Sequence, residues 1–221
     1  MWKTIASGAK ELFFPKRCFF CKKYGALLCG DCQALFEVSA IHYPNREIKY
    51  LSDIYSACSY ENKYAQKLIR QLKYEPFCKE FAAPLADLIA DHFKLAEIKL
   101  DSQDSVIAPI PLANKRLRWR GFNQAEAIAS ELGKLWQIPV AKNCLLRIRE
   151  TATQTDLDKS RRRENIKNAF ICPDSAPIKN KIILLVDDVI TTGATMEECA
   201  RVLSRRNAKQ VIGITLARAA K

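Results

Sequence analysis

A chain of 221 residues, 48% of them hydrophobic, has room for one large or two modest domains with a proper core, so a globular protein is the default. Thirty-six Lys and Arg against 24 Asp and Glu leave a net charge of +12, which favours polyanionic partners such as nucleic acid or phosphorylated metabolites. No apolar run reaches the about 18 residues that cross a bilayer, and residues 1–15 lack the features of a secretory signal. The chain is therefore expected to be cytoplasmic, with no transmembrane segment.

Nine cysteines without an export signal suggest metal binding or free thiols rather than disulfides. Four of them are ordered: Cys18 and Cys21, then Cys29 and Cys32, form two C-x-x-C pairs. Two tight turns so spaced supply four thiolates to one tetrahedral Zn²⁺, and a closed four-thiolate set makes the ion structural. Its binding is expected to contribute about 10 kcal/mol toward ordering a small knuckle. Around these turns Phe19, Phe20 and Tyr24 can stack bases while Lys16, Arg17, Lys22 and Lys23 meet phosphates, as in binding of single-stranded DNA without sequence preference. The same aromatics also suit packing of the knuckle. Cys58, Cys78, Cys144, Cys172 and Cys199 stand singly in apolar surroundings, as buried small hydrophobes do.

Residues 38–51 show no sustained period and read as a linker, giving a module with linker over 1–50 and a main domain over 51–221. Residues 54–60 alternate as a strand, and Tyr64, Leu68 and Leu72 then recur at helical spacing. Lys67, Arg70 and Lys73 fall on another side of that helix, as a basic stripe or a solvated face. Residues 77–95 read as a second amphipathic helix with Pro84 in its first turns. Residues 105–111 form a short buried strand, followed by a basic loop carrying Lys115, Arg116, Arg118 and Arg120 and by a helix from about Phe122. Pyrophosphate is the kind of group that attracts several such cations, and Arg118 and Arg120 are also expected to contact nucleic acid. Residues 149–168, rich in charge, read as a lid or as a surface loop, and residues 170–172 as a short strand.

The most informative stretch follows. Residues 182–186 are five unbroken apolar residues, suited to a parallel strand buried on both faces, and they run into Asp187 and Asp188. Thr191, Thr192, Gly193, Ala194 and Thr195 then open a helix, offering backbone N–H groups and hydroxyls to an anion. Two acids beside an anion cradle at a strand's carboxyl end suggest a sugar phosphate. A last buried strand is expected over residues 211–216.

The stretch from Ile182 to Thr195 resembles the phosphoribosyl pyrophosphate (PRPP) signature of type I phosphoribosyltransferases. The resemblance implies that Asp187 and Asp188 accept the ribose hydroxyls and that Thr191, Thr192, Gly193, Ala194 and Thr195 hold the 5′-phosphate. It further implies Mg²⁺ bridging pyrophosphate and ribose oxygens, with Lys115 and Arg116 near the leaving group. Thr191 stands where purine-salvage enzymes often carry an acid, so purine salvage is not expected. Taken with the four-cysteine knuckle, Leu72-Lys73-Tyr74, Pro109-Ile110-Pro111-Leu112, the run from Arg120 to Glu126, Thr153-Gln154 and Arg163-x-Asn165, the chain resembles the ComF family of competence-associated, phosphoribosyltransferase-like proteins. That family implies an α/β, mainly parallel sheet flanked by helices, with a small N-terminal zinc-binding module. It also implies a role in taking up DNA during natural transformation, contact with single-stranded DNA, and protein partners in the competence machinery. Three functions follow: a PRPP-binding competence protein, a working phosphoribosyltransferase with a nucleobase or amine acceptor, or a nucleic-acid-binding protein regulated by PRPP. No stretch identifies a catalytic residue.

Overall fold

The computed structural model describes residues 15–42, 44, 48–74, 78–150 and 164–219. It divides into two compact units, Met1–Glu37 and Val38–Lys221.

In the first unit, an antiparallel bridge joins Arg17 to Tyr24, and the turn between them closes through Cys18 N–H to Lys23 O at 2.7 Å and Lys22 N–H to Cys18 O at 2.9 Å. A helical turn, Gly30–Gln33, begins directly after Cys29. Phe36 is fully buried, with Phe20 packed edge-on against it at 5.9 Å between ring centroids. Among its described residues the buried hydrophobic side chains are Cys18, Leu28, Cys32 and Phe36, a small core.

The second unit is built on a four-stranded parallel sheet. Its strands are β1 (Asp53–Ser59), β2 (Ser105–Pro109), β5 (Ile182–Ile190) and β6 (Gln210–Arg218), in the order β1-β6-β5-β2. The two-residue strands β3 (Leu146–Arg147) and β4 (Phe170–Ile171) pair antiparallel in a separate ribbon. The helices are α1 (Lys63–Lys73), α2 (Ala82–Leu95), α3 (Asn114–Arg120), α4 (Gln124–Trp136) and α5 (Ala194–Ser204). This is the α/β class with a mainly parallel sheet that the apolar strand runs require.

β5 lies between β6 and β2, and residues 183–186 are completely buried. Alternation sends successive side chains to opposite faces. Ile183 and Leu185 join Val106, Ala108, Met196, Cys199 and Leu203 in one apolar cluster beneath α5. Ile107 faces the other way, toward α4 at Gly133, where an added methyl would lie 4.0 Å from Ile107 Cδ1 and 2.5 Å from Val140 Cγ2. Each large aliphatic side chain so buried contributes about 1.5–3 kcal/mol, which is why this strand anchors the sheet.

Several elements differ from expectation. Within the expected linker over residues 38–51, several of the described residues pack on the main domain. Ile48 and Leu51 enter the core cluster, Ser39 N–H bonds Ala57 O at 2.8 Å, and His42 Nε2 lies 2.8 Å from Asp53 Oδ2. Ile48 and Leu51, ten and thirteen residues past Val38, are too few to give a period. The basic loop after β2 is helix α3, ended by Gly121 at φ +79°, a left-handed position that glycine adopts without strain. β5 runs four residues past Val186, so both acids belong to the strand. The helix expected over 77–95 begins at Ala82 after a 3₁₀ turn, Lys79–Phe81, with Pro84 in the first turn, where no intrahelical N–H bond is lost. Phe77 lies outside the described residues, as does the greater part of the expected lid, with Thr153, Gln154 and Arg163. Of the five lone cysteines, Cys78 is only half-buried, and its thiol donates to Glu80 Oε2 at 3.3 Å.

Candidate functional site

At the carboxyl edge of the sheet lies a cleft of about 420 Å³. Its floor is the end of β5 and its loop, from Asp187 to Met196. One bank carries Ile110, Pro111 and Leu112 after β2, then Arg116, Trp119, Arg120 and Gln124; the other carries Tyr60, Lys73 and Tyr74, and Arg147 of β3 completes the wall. Each element delivers its residues for a local reason. Asn62 caps α1 by accepting from the N–H groups of Tyr64 and Ala65 at 3.0 Å, which fixes the helix whose last residue is Lys73. Asn123 caps α4 and its Nδ2 also donates to Ile110 O at 3.0 Å, tying the end of β2 to the start of that helix.

The two acids are unlike one another. Asp188 is almost completely buried, and Lys73 Nζ lies 2.8 Å from its Oδ1. Its Oδ2 is buried without a hydrogen-bond partner among the described residues. Burial alone would lower the pKa of Lys73, but the charges of Asp188 and Asp187 outweigh it and hold the ammonium above the ordinary lysine range. Asp187 is pushed up to about 7, first by burial and then by the charge of Asp188, against the opposing pull of Lys73 and Arg147. Its Oδ1 accepts the N–H of Asp188 at 2.9 Å. Asp187 therefore changes charge near neutral pH.

The loop after β5 has Gly193 at φ +76° as the N-cap of α5, and Ala194 N–H lies 3.4 Å from Thr192 Oγ1. A methyl on Gly193 would meet Ile48 Cδ1 at 2.1 Å and strain the backbone as well, so the position takes only glycine. The first turn of α5 then points its N–H groups toward the cleft, an arrangement that binds phosphate-sized anions.

The cleft thus brings together the seven residues expected to hold PRPP. Of the pair assigned to pyrophosphate, Arg116 lines it, while exposed Lys115 is not among its walls. Arg120, expected on a nucleic-acid surface with Arg118, is instead 8% exposed in the cleft wall, bonded to Gln124 and with a buried Nε that has no hydrogen-bond partner among the described residues. Burial lowers its pKa, and the charge of Asp188 works the other way. Arg118 is exposed. Lys73 and Arg147, not singled out for the site from the sequence, line it.

In the first unit, the Sγ atoms of Cys18, Cys21, Cys29 and Cys32 lie within 4.8 Å of one another, with Cys21 and Cys29 at 3.5 Å. A tetrahedral ion with metal–sulfur bonds of about 2.3 Å needs sulfur–sulfur edges of about 3.8 Å, so the cluster can hold a metal. Burial raises the Cys18 thiol, but backbone N–H groups of Cys29, Cys21 and Phe20 outweigh it and bring the pKa to about 6, favouring the thiolate a metal requires. Among the residues expected to meet nucleic acid, Lys16, Arg17, Lys22 and Lys23 are exposed, and Phe19 and Phe20 are half-buried. Lys23 pairs with Asp31 at 2.7 Å, and Arg17 bonds the hydroxyl of Tyr24 with its guanidinium 4.3 Å from the ring centroid. Tyr24, at 62% exposure, offers the more accessible aromatic face.

A parallel sheet whose central strand ends in two acids and a Thr-Thr-Gly-Ala-Thr loop defines a phosphoribosyltransferase-like protein, and residues 118–221 match the phosphoribosyl transferase domain family. The chain is 28% identical to competence protein F of Haemophilus influenzae over 235 residues, covering 94% of this chain and 99% of that protein. It is 27% identical to competence protein ComFC of Streptococcus pneumoniae over 201 residues, covering 86% and 87%. With DNA utilization protein YhgH of Escherichia coli K12 it shares 34% identity over 146 residues, 65% of this chain and 63% of that one. These likenesses support a ComF-type, phosphoribosyltransferase-like protein.

Proposed function

We propose that this protein binds PRPP with Mg²⁺ in the cleft above Asp187 and Asp188 and acts in the cytoplasm in DNA uptake during natural transformation, contacting single-stranded DNA and proteins of the competence machinery. The observation that carries the PRPP reading is the make-up of the cleft. Lys73, Arg116, Arg120 and Arg147 surround two acids and a helix N-terminus, so cations and N–H groups are available to phosphates and carboxylates to hydroxyls. The orphaned Asp188 Oδ2 is an acceptor suited to a ribose hydroxyl. The donor set fits a magnesium complex of PRPP, in which the ion offsets the diphosphate charge. Four thiols at tetrahedral spacing support Zn²⁺ in the first unit. The DNA side of the proposal is supported by relatives named for competence and DNA utilization and by the exposed basic residues with Tyr24.

Calorimetric titration with PRPP, with and without Mg²⁺, tests the first part. Saturable one-to-one binding that requires Mg²⁺ is the expected outcome, and no heat at millimolar PRPP would remove the reading. For the DNA part, affinity for a short single strand is expected to fall with salt. About 0.7 in log affinity is lost per phosphate contact for each tenfold rise in salt, so three or four contacts give a slope of roughly −2 to −3. A slope near zero would count against phosphate contacts. Turnover is a second reading, favoured by Tyr60, Tyr74 and Trp119 lining the cleft beside the acids, where they can stack a planar acceptor. Its sign would be pyrophosphate release when a nucleobase is added.

A further inference from the structure

Adjacent residues of one strand point to opposite faces, so Asp187 and Asp188 meet different surroundings. Asp187 feels Cys199 of α5 and Arg147 of β3. On the side of Asp188, Lys73 comes from the end of α1, Arg120 from α3, and Tyr60 follows β1 close to Lys73. Lys73 Nζ lies 2.8 Å from Oδ1 of Asp188, and the other oxygen, completely buried, has no hydrogen-bond partner among the described residues. A buried carboxylate oxygen left unpaired costs free energy that a bound hydroxyl would recover.

We infer that Lys73 is a positioning residue of the ribose site: its ammonium holds Asp188 by one oxygen, and the other, buried at the cleft floor without a partner among the described residues, is the acceptor that a ribose hydroxyl would take up on binding. The inference rests on the PRPP reading of the cleft. Its physical content is that preorganisation of the acceptor is supplied from a helix distant in sequence from the acids. A hydrogen bond to a carboxylate that stays ionised is roughly twice as strong as one between neutral groups. With Lys73 present, an ammonium lies against Asp188, and Asp187, pushed up by burial and by the neighbouring carboxylate, titrates near neutrality. Without the ammonium, the two neighbouring carboxylates lose a nearby cation, and one proton stays on the pair to higher pH. The plain alternative is an ion pair that only fastens α1 to β5.

Binding of PRPP with Mg²⁺ to the full chain from pH 6 to 8.5 distinguishes the two, using wild type, Lys73→Met and Lys73→Arg with thermal melts alongside. Lys73→Met is expected to weaken PRPP binding by about tenfold or more at pH 7 and to move the midpoint of its pH profile up by about one unit, with Lys73→Arg restoring most of both. If Lys73→Met does not fold, Lys73→Gln, which keeps an N–H donor for Asp188 without the charge, is read on the same axes. A folded, uncharged variant with wild-type affinity and an unmoved profile overturns the inference and leaves the PRPP site standing. Wild type that fails to bind PRPP removes the site reading and the inference together.

Discussion

Asp187→Asn combined with Asp188→Asn is expected to reduce PRPP affinity by at least about 100-fold while leaving the second unit folded. Each carboxylate that accepts a ribose hydroxyl makes a charge-assisted bond, and loss of a hydrogen bond to a charged group costs about 1.5–3 kcal/mol. Two such losses, in a cleft that must discriminate a sugar phosphate from plain phosphate, are enough to take binding out of range. The fold should survive for different reasons at the two positions. The carboxyl of Asp187, with its pKa raised to about 7, holds a proton that the unfolded chain releases near the ordinary carboxylate value. The folded state therefore binds more protons than the unfolded one between about pH 4 and 7, and this group's contribution to stability falls as pH rises through that window. Asparagine resembles the protonated acid, so the first substitution removes that loss. Asp188→Asn takes the counter-ion from Lys73, which remains 27% exposed and so reaches some water. Breaking a fully buried pair costs about 3–5 kcal/mol, and this partly solvated one should cost less, a fall of roughly 5–10 °C in melting temperature. Calorimetry and thermal melting on the same sample check both halves. Unchanged PRPP affinity in a folded double variant would remove the ribose assignment.

The sequence exposes β5 and its loop because two signals coincide there: an apolar run too continuous for a half-exposed strand, and a polar cluster too specific for a simple helix cap. The cationic walls of the cleft were harder to read. Lys73 has the same side-chain chemistry as Lys67 and sits on the same basic stripe. Helical period alone does not say which cation of that stripe reaches an acid more than a hundred positions away. Arg116 and Arg120 stand four apart, and with Trp119 they line the cleft from one helix. Read as a loop, residues 115–120 have no face, and Arg120 goes to the surface with Arg118; read as a helix ended by Gly121, the same residues separate into a cleft side and an exposed side. Arg147 sits on a two-residue strand, below the length at which alternation is visible. Ile48 went unrecognised for a related reason. Its role is to fill the space beside Gly193, a long-range fit that shows only when the loop after β5 is folded over it.

Cys29→Ser is expected to lower the zinc content from one equivalent to nearly zero and to disorder the Met1–Glu37 unit. The unit's apolar interior is small: Phe36, Leu28, Cys18 and Cys32 are its buried hydrophobic residues among those described. Such an interior falls short of the conformational entropy of fixing some twenty residues at about 1–2 kcal/mol each. An apparent metal-binding free energy of about 10 kcal/mol or more makes up the difference, and it depends on all four thiolates. A serine hydroxyl is a poor ligand for zinc at neutral pH, and three thiolates with an open position bind less tightly and admit water. Val38–Lys221 has its own sheet and core cluster, so PRPP binding should persist in the variant while single-stranded DNA binding weakens. Metal analysis, amide hydrogen exchange over residues 15–37, and the two binding titrations read these outcomes separately. A full equivalent of zinc in Cys29→Ser would count against the four-cysteine site, and DNA affinity equal to wild type in the zinc-free variant would move the DNA-binding surface away from the first unit. Loss of PRPP binding in that same variant would instead mean that the cleft depends on the metal unit, a coupling that neither core alone requires.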